Sequence, residues 1–306
     1  MNDAHCHFFS TPFFAALGRQ LKDADQDAPQ ATALAKLGWD SPGTAEALAD
    51  RWVAELDRGG VSRAALIASV PGDSGSVAAA VARHPRRLVG FFMVDPTQPD
   101  ASEKAAAAID AGGLRGICLF PAMHRFGIQD HRVHRVFEVA AARPGTAVFV
   151  HCGVLKVGVR DKLGLPSPFD IRYGNPLDLH AVASTFRTVP IIIPHFGAGL
   201  FRETLMVADL CDNVRLDTSS TNAWIKYCGD SGGLTLAAVF RQALSVIGAD
   251  RLLFGSDSSF FPRGWVSRIF EEQSAALADL DAPADVREKI FGGNFDRLFP
   301  LSENQS

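Results

Sequence analysis

The sequence has little that would mark it for a membrane, a nucleic acid or an oxidising compartment. No apolar stretch approaches the roughly 20 residues needed to cross a bilayer. No basic segment followed by an apolar run stands at the N-terminus, so a signal peptide is not expected. A net charge of −4 and a pI of about 6.1 give no basic footprint for phosphate backbones. The five cysteines (Cys6, Cys118, Cys152, Cys211 and Cys228) are odd in number and form no C-x-x-C pair. That argues against a disulfide framework and for reduced thiols. These absences predict a cytoplasmic protein whose partner is a small-molecule substrate, with no nucleic acid and no membrane. No G-x-G-x-x-G or Walker loop follows any candidate strand, which weakens an open, nucleotide-binding sheet. Neither an internal repeat nor a low-complexity linker divides the chain, so residues 1–306 read as one domain.

What is present is a series of short apolar runs alternating with helical patterns, the signature of parallel strands joined by helices. Eight strands are expected, near residues 2–7, 63–70, 88–94, 115–120, 147–151, 190–196, 214–218 and 251–257. Many are apolar almost throughout, as strands covered by helices should be. Thr44 is a candidate N-cap for a helix over 45–57 that stops at Gly59-Gly60; an alanine-rich helix over 101–111 stops at Gly112-Gly113. Further helices are expected over 130–142, 176–187, 200–210, 233–247, 265–279 and 283–291, with a frayed tail after Pro300. With hydrophobic content of 47% over 306 residues, the chain suits a (β/α)₈ TIM barrel, which needs about 250 residues. Two connections exceed ordinary loop length: Phe8 to about Thr44, with room for two extra helices, and Cys152 to about Asn175. They are expected to rise as lids over the barrel mouth, after strands 1 and 5.

The strand ends carry the chemistry. His5-Cys6-His7 closes the first strand, His151 the fifth, His195 the sixth and Asp257 the eighth. A barrel builds its active site at such carboxyl ends, and imidazoles with a carboxylate suit a borderline divalent metal, zinc first. Alternation puts His5 and His7 on one face and Cys6 on the other. His151, before a glycine and a long loop, reads as a third ligand. His195 either completes the shell or stands beside it as acid/base, and the second role is favoured. Asp257 can bind metal and take a proton from water; capping the next helix is the weaker reading, because Pro262 and Gly264 intervene.

This order, His-x-His, His, His, Asp on successive strand ends, resembles the amidohydrolase superfamily. The resemblance runs from His5 to Gly293-Asn294-Phe295-Asp296-Arg297-Leu298. It is greatest to the amidohydrolase 2 branch, with aminocarboxymuconate-semialdehyde decarboxylase and pyrone-dicarboxylate lactonase as relatives. The resemblance implies a TIM barrel, often dimeric, and one Zn²⁺ (or Mn²⁺) on His5, His7, His151 and Asp257. It makes His195 and Asp257 catalytic. Binuclear members carry a bridging lysine at the fourth strand, where this chain reads Gly116-Ile117-Cys118-Leu119-Phe120-Pro121, so one metal is expected. The related decarboxylase has a substrate-holding arginine on its first long helix. Ala54 aligns there and Arg51 lies about a turn away, which puts decarboxylation in doubt.

Two enzyme readings therefore stand. The first is a metal-dependent hydrolase that attacks a small lactone, amide or carboxylated ring with a metal-activated water. The second is a zinc-dependent non-oxidative decarboxylase of an aromatic or unsaturated acid. A non-catalytic barrel would predict loss of the strand-end residues, and all five are filled. Substrate contacts are expected from Arg160, Arg172, Tyr173, Asn222, Trp224 and Arg263, with Lys156, Asp170 and Asn175 in the same lid. The remaining histidines (His84, His124, His131, His134 and His180) read as structural or surface residues, His124 being nearest the mouth.

Overall fold

The computed structural model describes residues 1–220, 223–228, 234–261 and 263–301. Asn222 and nearly all of the expected frayed tail lie outside the described residues. Eight strands form one parallel sheet in sequence order: β1 (Asn2–Phe8), β2 (Arg63–Ala68), β3 (Leu88–Val94), β4 (Gly116–Leu119), β5 (Ala147–Val150), β6 (Ile191–Ile193), β7 (Val214–Asp217) and β8 (Leu252–Leu253). β8 is short, but the chain beyond it runs along β1. Ala4 donates to Phe254 O (2.8 Å), Asp257 to His5 O (2.9 Å) and His7 to Ser258 O (2.7 Å). These bonds bring the two sheet edges together into a nearly closed barrel, with helices alternating between the strands.

Alternation along the strands sorts the core into two layers. Ile67, Phe91, Cys118, Phe149 and Ile192 point into the barrel, where Phe295 and Phe299 join them. Their neighbours Leu66, Ile117, Val148, Ile191 and Leu216 point outward, under the helices. β1 departs from this rule in one place. The register slips between Asp3 and Cys6 against β2, so one extra residue is accommodated, as in a β-bulge. Ala4 therefore lies in the inner layer and Cys6 in the outer one, and His5 and His7 are aimed into the mouth of the barrel. All five cysteines are unpaired, and among the described residues no helix is long and apolar enough to cross a membrane.

The helices follow the sequence signals closely. The helix Ala45–Arg58 begins at Thr44, whose side chain accepts from Ala47 N at 3.2 Å. Helices also form where none was expected, at Ser74–Arg83, Pro121–His124 and Asn294–Leu298; the first turn of Ser74–Arg83, Ser74-Gly75-Ser76, carries residues that favour turns.

Both long connections are ordered. The first contains α1 (Thr11–Gly18) and α2 (Pro29–Leu37), as its length suggested, and the second contains α3 (Gly158–Leu163). Their apolar faces meet in a separate cluster in which Phe13, Phe14 and Leu34 from the first connection pack with Val159, Leu163 and Leu165 from the second. The two insertions thus bury these side chains against each other.

Candidate active site

A cavity of about 640 Å³ opens at the carboxyl ends of the strands and takes in His5, His7, His151, His195 and Asp257. His5 and His195 are buried and their rings stack 5.0 Å apart. His151 is also buried, its ring 5.3 Å from that of His195 and stacked on Phe120 at 5.4 Å. The backbone around the site is held in conformations that side chains rarely adopt. His195, Phe196, Ala198 and Asp257 have φ of 57°, 50°, 43° and 59°, a concentration of strain typical of functional sites. Gly255 is required for close approach: a Cβ there would sit 2.8 Å from Ser219 Cβ and 2.9 Å from His5 Cβ.

The hydrogen bonds decide which nitrogen each imidazole offers. His5 Nδ1 lies 2.7 Å from Asp217 Oδ2. An ionised carboxylate only accepts, so the proton is on Nδ1 and His5 Nε2 is a bare lone pair. His7 Nδ1 lies 2.8 Å from Ser69 Oγ, and that hydroxyl spends its own proton on Ile67 O at 3.0 Å. Ser69 must therefore accept from His7 Nδ1, which leaves His7 Nε2 bare as well. The two lone pairs face each other at 3.3 Å, with Asp257 Oδ1 only 3.2 Å from His7 Nε2 and 3.7 Å from His5 Nε2. Three acceptors thus converge with no donor among them. A proton or a metal ion has to sit there, and two imidazoles with a carboxylate are a donor set for a divalent metal.

The electrostatics agree. Burial opposes a charge on His5, but Asp217 at 2.7 Å outweighs it and raises its pKa, which makes His5 Nε2 more basic. Burial would raise the Asp257 carboxyl too, but the cluster of imidazoles around it, His7, His195 and His5, lowers it instead. His151 is pushed well down by burial and by the nearby His195, and burial also lowers His195. Both are neutral near pH 7.

Asp217 is a further candidate site residue that sequence reasoning passed over. It ends β7, fully buried, and takes Ser219 N at 2.6 Å on its second oxygen. Ser219 Oγ then bridges His5 Nδ1 (3.0 Å) and His195 Nδ1 (2.8 Å). His5, His195 and Asp217 lie close enough together to suggest a second metal group. Their facing atoms are already joined through Ser219, so we read them as the network that orients His5 and His195. The signal was available, since a carboxylate closing a predicted strand is the argument that singled out Asp257.

The other expected residues separate clearly. His151 lines the cavity, but among the described residues it belongs to neither group of ligand atoms within 4.8 Å of one another, and its buried Nδ1 has no partner. Trp224 and Arg263 line the cavity. Arg160, Arg172 and Tyr173 do not. Arg160 is occupied by Pro166 O and Gln20 Oε1, and Arg172 pairs with Asp170. Ala54 is exposed, and Arg51 stacks its guanidinium on Phe261 at 4.4 Å. The helix position of the related decarboxylase's arginine therefore supplies nothing to the cavity. Residues not anticipated do line it, among them Phe9, Trp39, Lys162 and Phe260.

The same fold occurs in solved structures of low sequence identity. One is the 5-carboxyvanillate decarboxylase of Sphingomonas paucimobilis, 16% identical, with TM-score 0.65 and 99% of both chains covered. Another is a probable 2-pyrone-4,6-dicarboxylic acid hydrolase of Acinetobacter baumannii with citric acid bound, 15% identical, TM-score 0.55, covering 97% of this chain and 98% of that one. A third is an amidohydrolase of Burkholderia multivorans with bound zinc, 15% identical, TM-score 0.59, covering 98% and 99%. No curated protein sequence matches the chain. The amidohydrolase family model matches residues 3–301, and the chain belongs to that family.

Proposed function

We propose that the protein is a hydrolase using one divalent ion, zinc or manganese, to open a small lactone, amide or carboxylated ring. The observation that carries this reading is the set of three converging acceptors, His5 Nε2, His7 Nε2 and Asp257 Oδ1. His5, His7 and Asp257 would hold the ion, with His151 the fourth candidate on the same cavity wall. When bound, such an ion lowers the pKa of water and polarises a carbonyl oxygen.

The chain's own groups divide the remaining work. Asp257, held ionised, accepts the proton of the attacking water and passes it to the leaving group. His195, neutral and anchored at Nδ1 by Ser219, orients the water or the developing oxyanion through Nε2. Asp217 keeps His5 in the tautomer that offers Nε2. The aromatic walls exclude bulk water and seat a ring.

The helix position that holds the substrate carboxylate in the related decarboxylase supplies nothing to this cavity, which favours hydrolysis over decarboxylation. Decarboxylation stands as the second reading because the cavity is walled by Phe9, Phe13, Trp39 and Phe120, and because both a decarboxylase and a hydrolase share the fold. The metal-loaded enzyme should be given ring lactones, ring amides and hydroxylated aromatic acids in H₂¹⁸O. Incorporation of ¹⁸O into a new carboxylate supports hydrolysis; release of CO₂ without incorporation overturns it in favour of the lyase.

A further inference from the structure

We infer that the mouth of the cavity holds an anion subsite, formed by Lys162 and Arg263 around the stacked rings of Trp39 and Phe260, which selects substrates carrying a second acidic group. The inference rests on the proposed function for the reacting end and adds a determinant at the other end.

Three separate segments meet here. Trp39 follows α2, Lys162 lies on α3 and Phe260 follows Asp257 by three residues. The Trp39 and Phe260 rings stack face to face, 3.9 Å between centroids and 8° from parallel. Lys162 Nζ sits 5.4 Å from the Trp39 centroid and 5.7 Å from that of Phe260, and Arg263 Cζ sits 5.9 Å from Phe260. Two cations are thus held against one ring, and all four residues line the same cavity as the histidines.

Of the other cations near the cavity, Lys226 lies over the Tyr227 ring at 5.0 Å, and three are committed to the protein's own acceptors. Lys156 pairs with Asp161, Arg172 with Asp170, and Arg160 bonds Pro166 O and Gln20. Neither Lys162 nor Arg263 has a carboxylate partner among the described residues, and Asp257 is the sole acidic residue among those that line the cavity. Two like charges near one ring repel each other. An anion bound between them would relieve that repulsion, while the half-buried rings supply apolar surface beside it. A substrate that places one group at the histidines and reaches the collar with a second carboxylate meets both.

The test compares benzoate with isophthalate (benzene-1,3-dicarboxylate) by calorimetry on the metal-loaded protein at low salt. The wild type should bind isophthalate about tenfold more tightly than benzoate, the size expected for two partly exposed charge-assisted contacts. The Lys162→Ala/Arg263→Ala double variant should lose that preference and keep its benzoate affinity, its metal content and its melting temperature. Lys162→Arg should retain the preference. Equal affinity for the two acids in the wild type, or loss of both alike in the double variant, overturns the subsite. Failure of the hydrolase reading is separable, because these titrations do not depend on turnover, and a preference for the dianion in metal-free protein would keep the subsite while removing the metal.

Discussion

Replacing Asp217 by Asn tests whether the tautomer argument at the centre of the site is sound. Both Asp217 oxygens accept from N–H groups, His5 Nδ1 at 2.7 Å and Ser219 N at 2.6 Å. Asparagine keeps the shape but offers one oxygen and one NH₂. If the oxygen stays with Ser219, the NH₂ faces His5 Nδ1, which must surrender its proton to Nε2. The lone pair that points at Asp257 is then lost. If the oxygen turns to His5, a buried backbone N–H is left unpaired, at about 1–3 kcal/mol. Loss of a group that orients a metal ligand typically weakens binding about 10–100-fold, or about 1.4–2.7 kcal/mol, so the two routes cost similar amounts. Zinc affinity should be read by competition with a chromophoric chelator, and folding by thermal melting. A folded Asp217→Asn protein whose zinc affinity stays within about twofold of wild type would refute the reasoning, because His5 would then not depend on Asp217 for its tautomer.

Further expectations follow from the same geometry. Gly255→Ala should force Ser219 and His5 apart, lowering stability by about 1–3 kcal/mol and metal uptake with it, as read by melting and elemental analysis; unchanged values would mean the contacts of 2.8 and 2.9 Å are relieved at no cost. His195→Ala should keep most of the metal and lose activity, whereas loss of metal would make His195 a ligand. The pH profile of kcat/KM should have its acid limb below the usual histidine value of about 6.5. Burial lowers His195, so the neutral, active form persists as pH falls and is lost only when pH passes below that depressed value. An acid limb above pH 7 would contradict this.

Much of the barrel was legible because its strands are short apolar runs with polar ends, a pattern that local sequence carries by itself. All eight strands lie where the runs predicted, and the histidines and Asp257 share one cavity. What escaped depends on pairing at a distance or on weak local signals. Asp217 closes an expected strand as Asp257 does, but its meaning comes from His5, 212 residues away. The helix Ser74–Arg83 starts with small residues that mimic a loop, and its helical state is set by packing on the sheet, where Val77 and Ala80 are buried. The packing of the two insertions, and the Trp39–Phe260 stack between loops far apart in sequence, had no periodicity to reveal them. Charge alone did not tell which loop residues line the cavity. Arg160 and Arg172 looked available in a list of loop residues, but each has a partner within its own segment.

The measurement that bears most directly on the account is metal content per chain, by elemental mass spectrometry on protein purified without chelator, for the wild type and for His5→Ala. The converging lone pairs of His5 and His7 beside Asp257 predict about one zinc or manganese per wild-type chain and a loss of that metal in His5→Ala. A wild-type protein that holds none and takes up none on addition, or one that holds two, would contradict it.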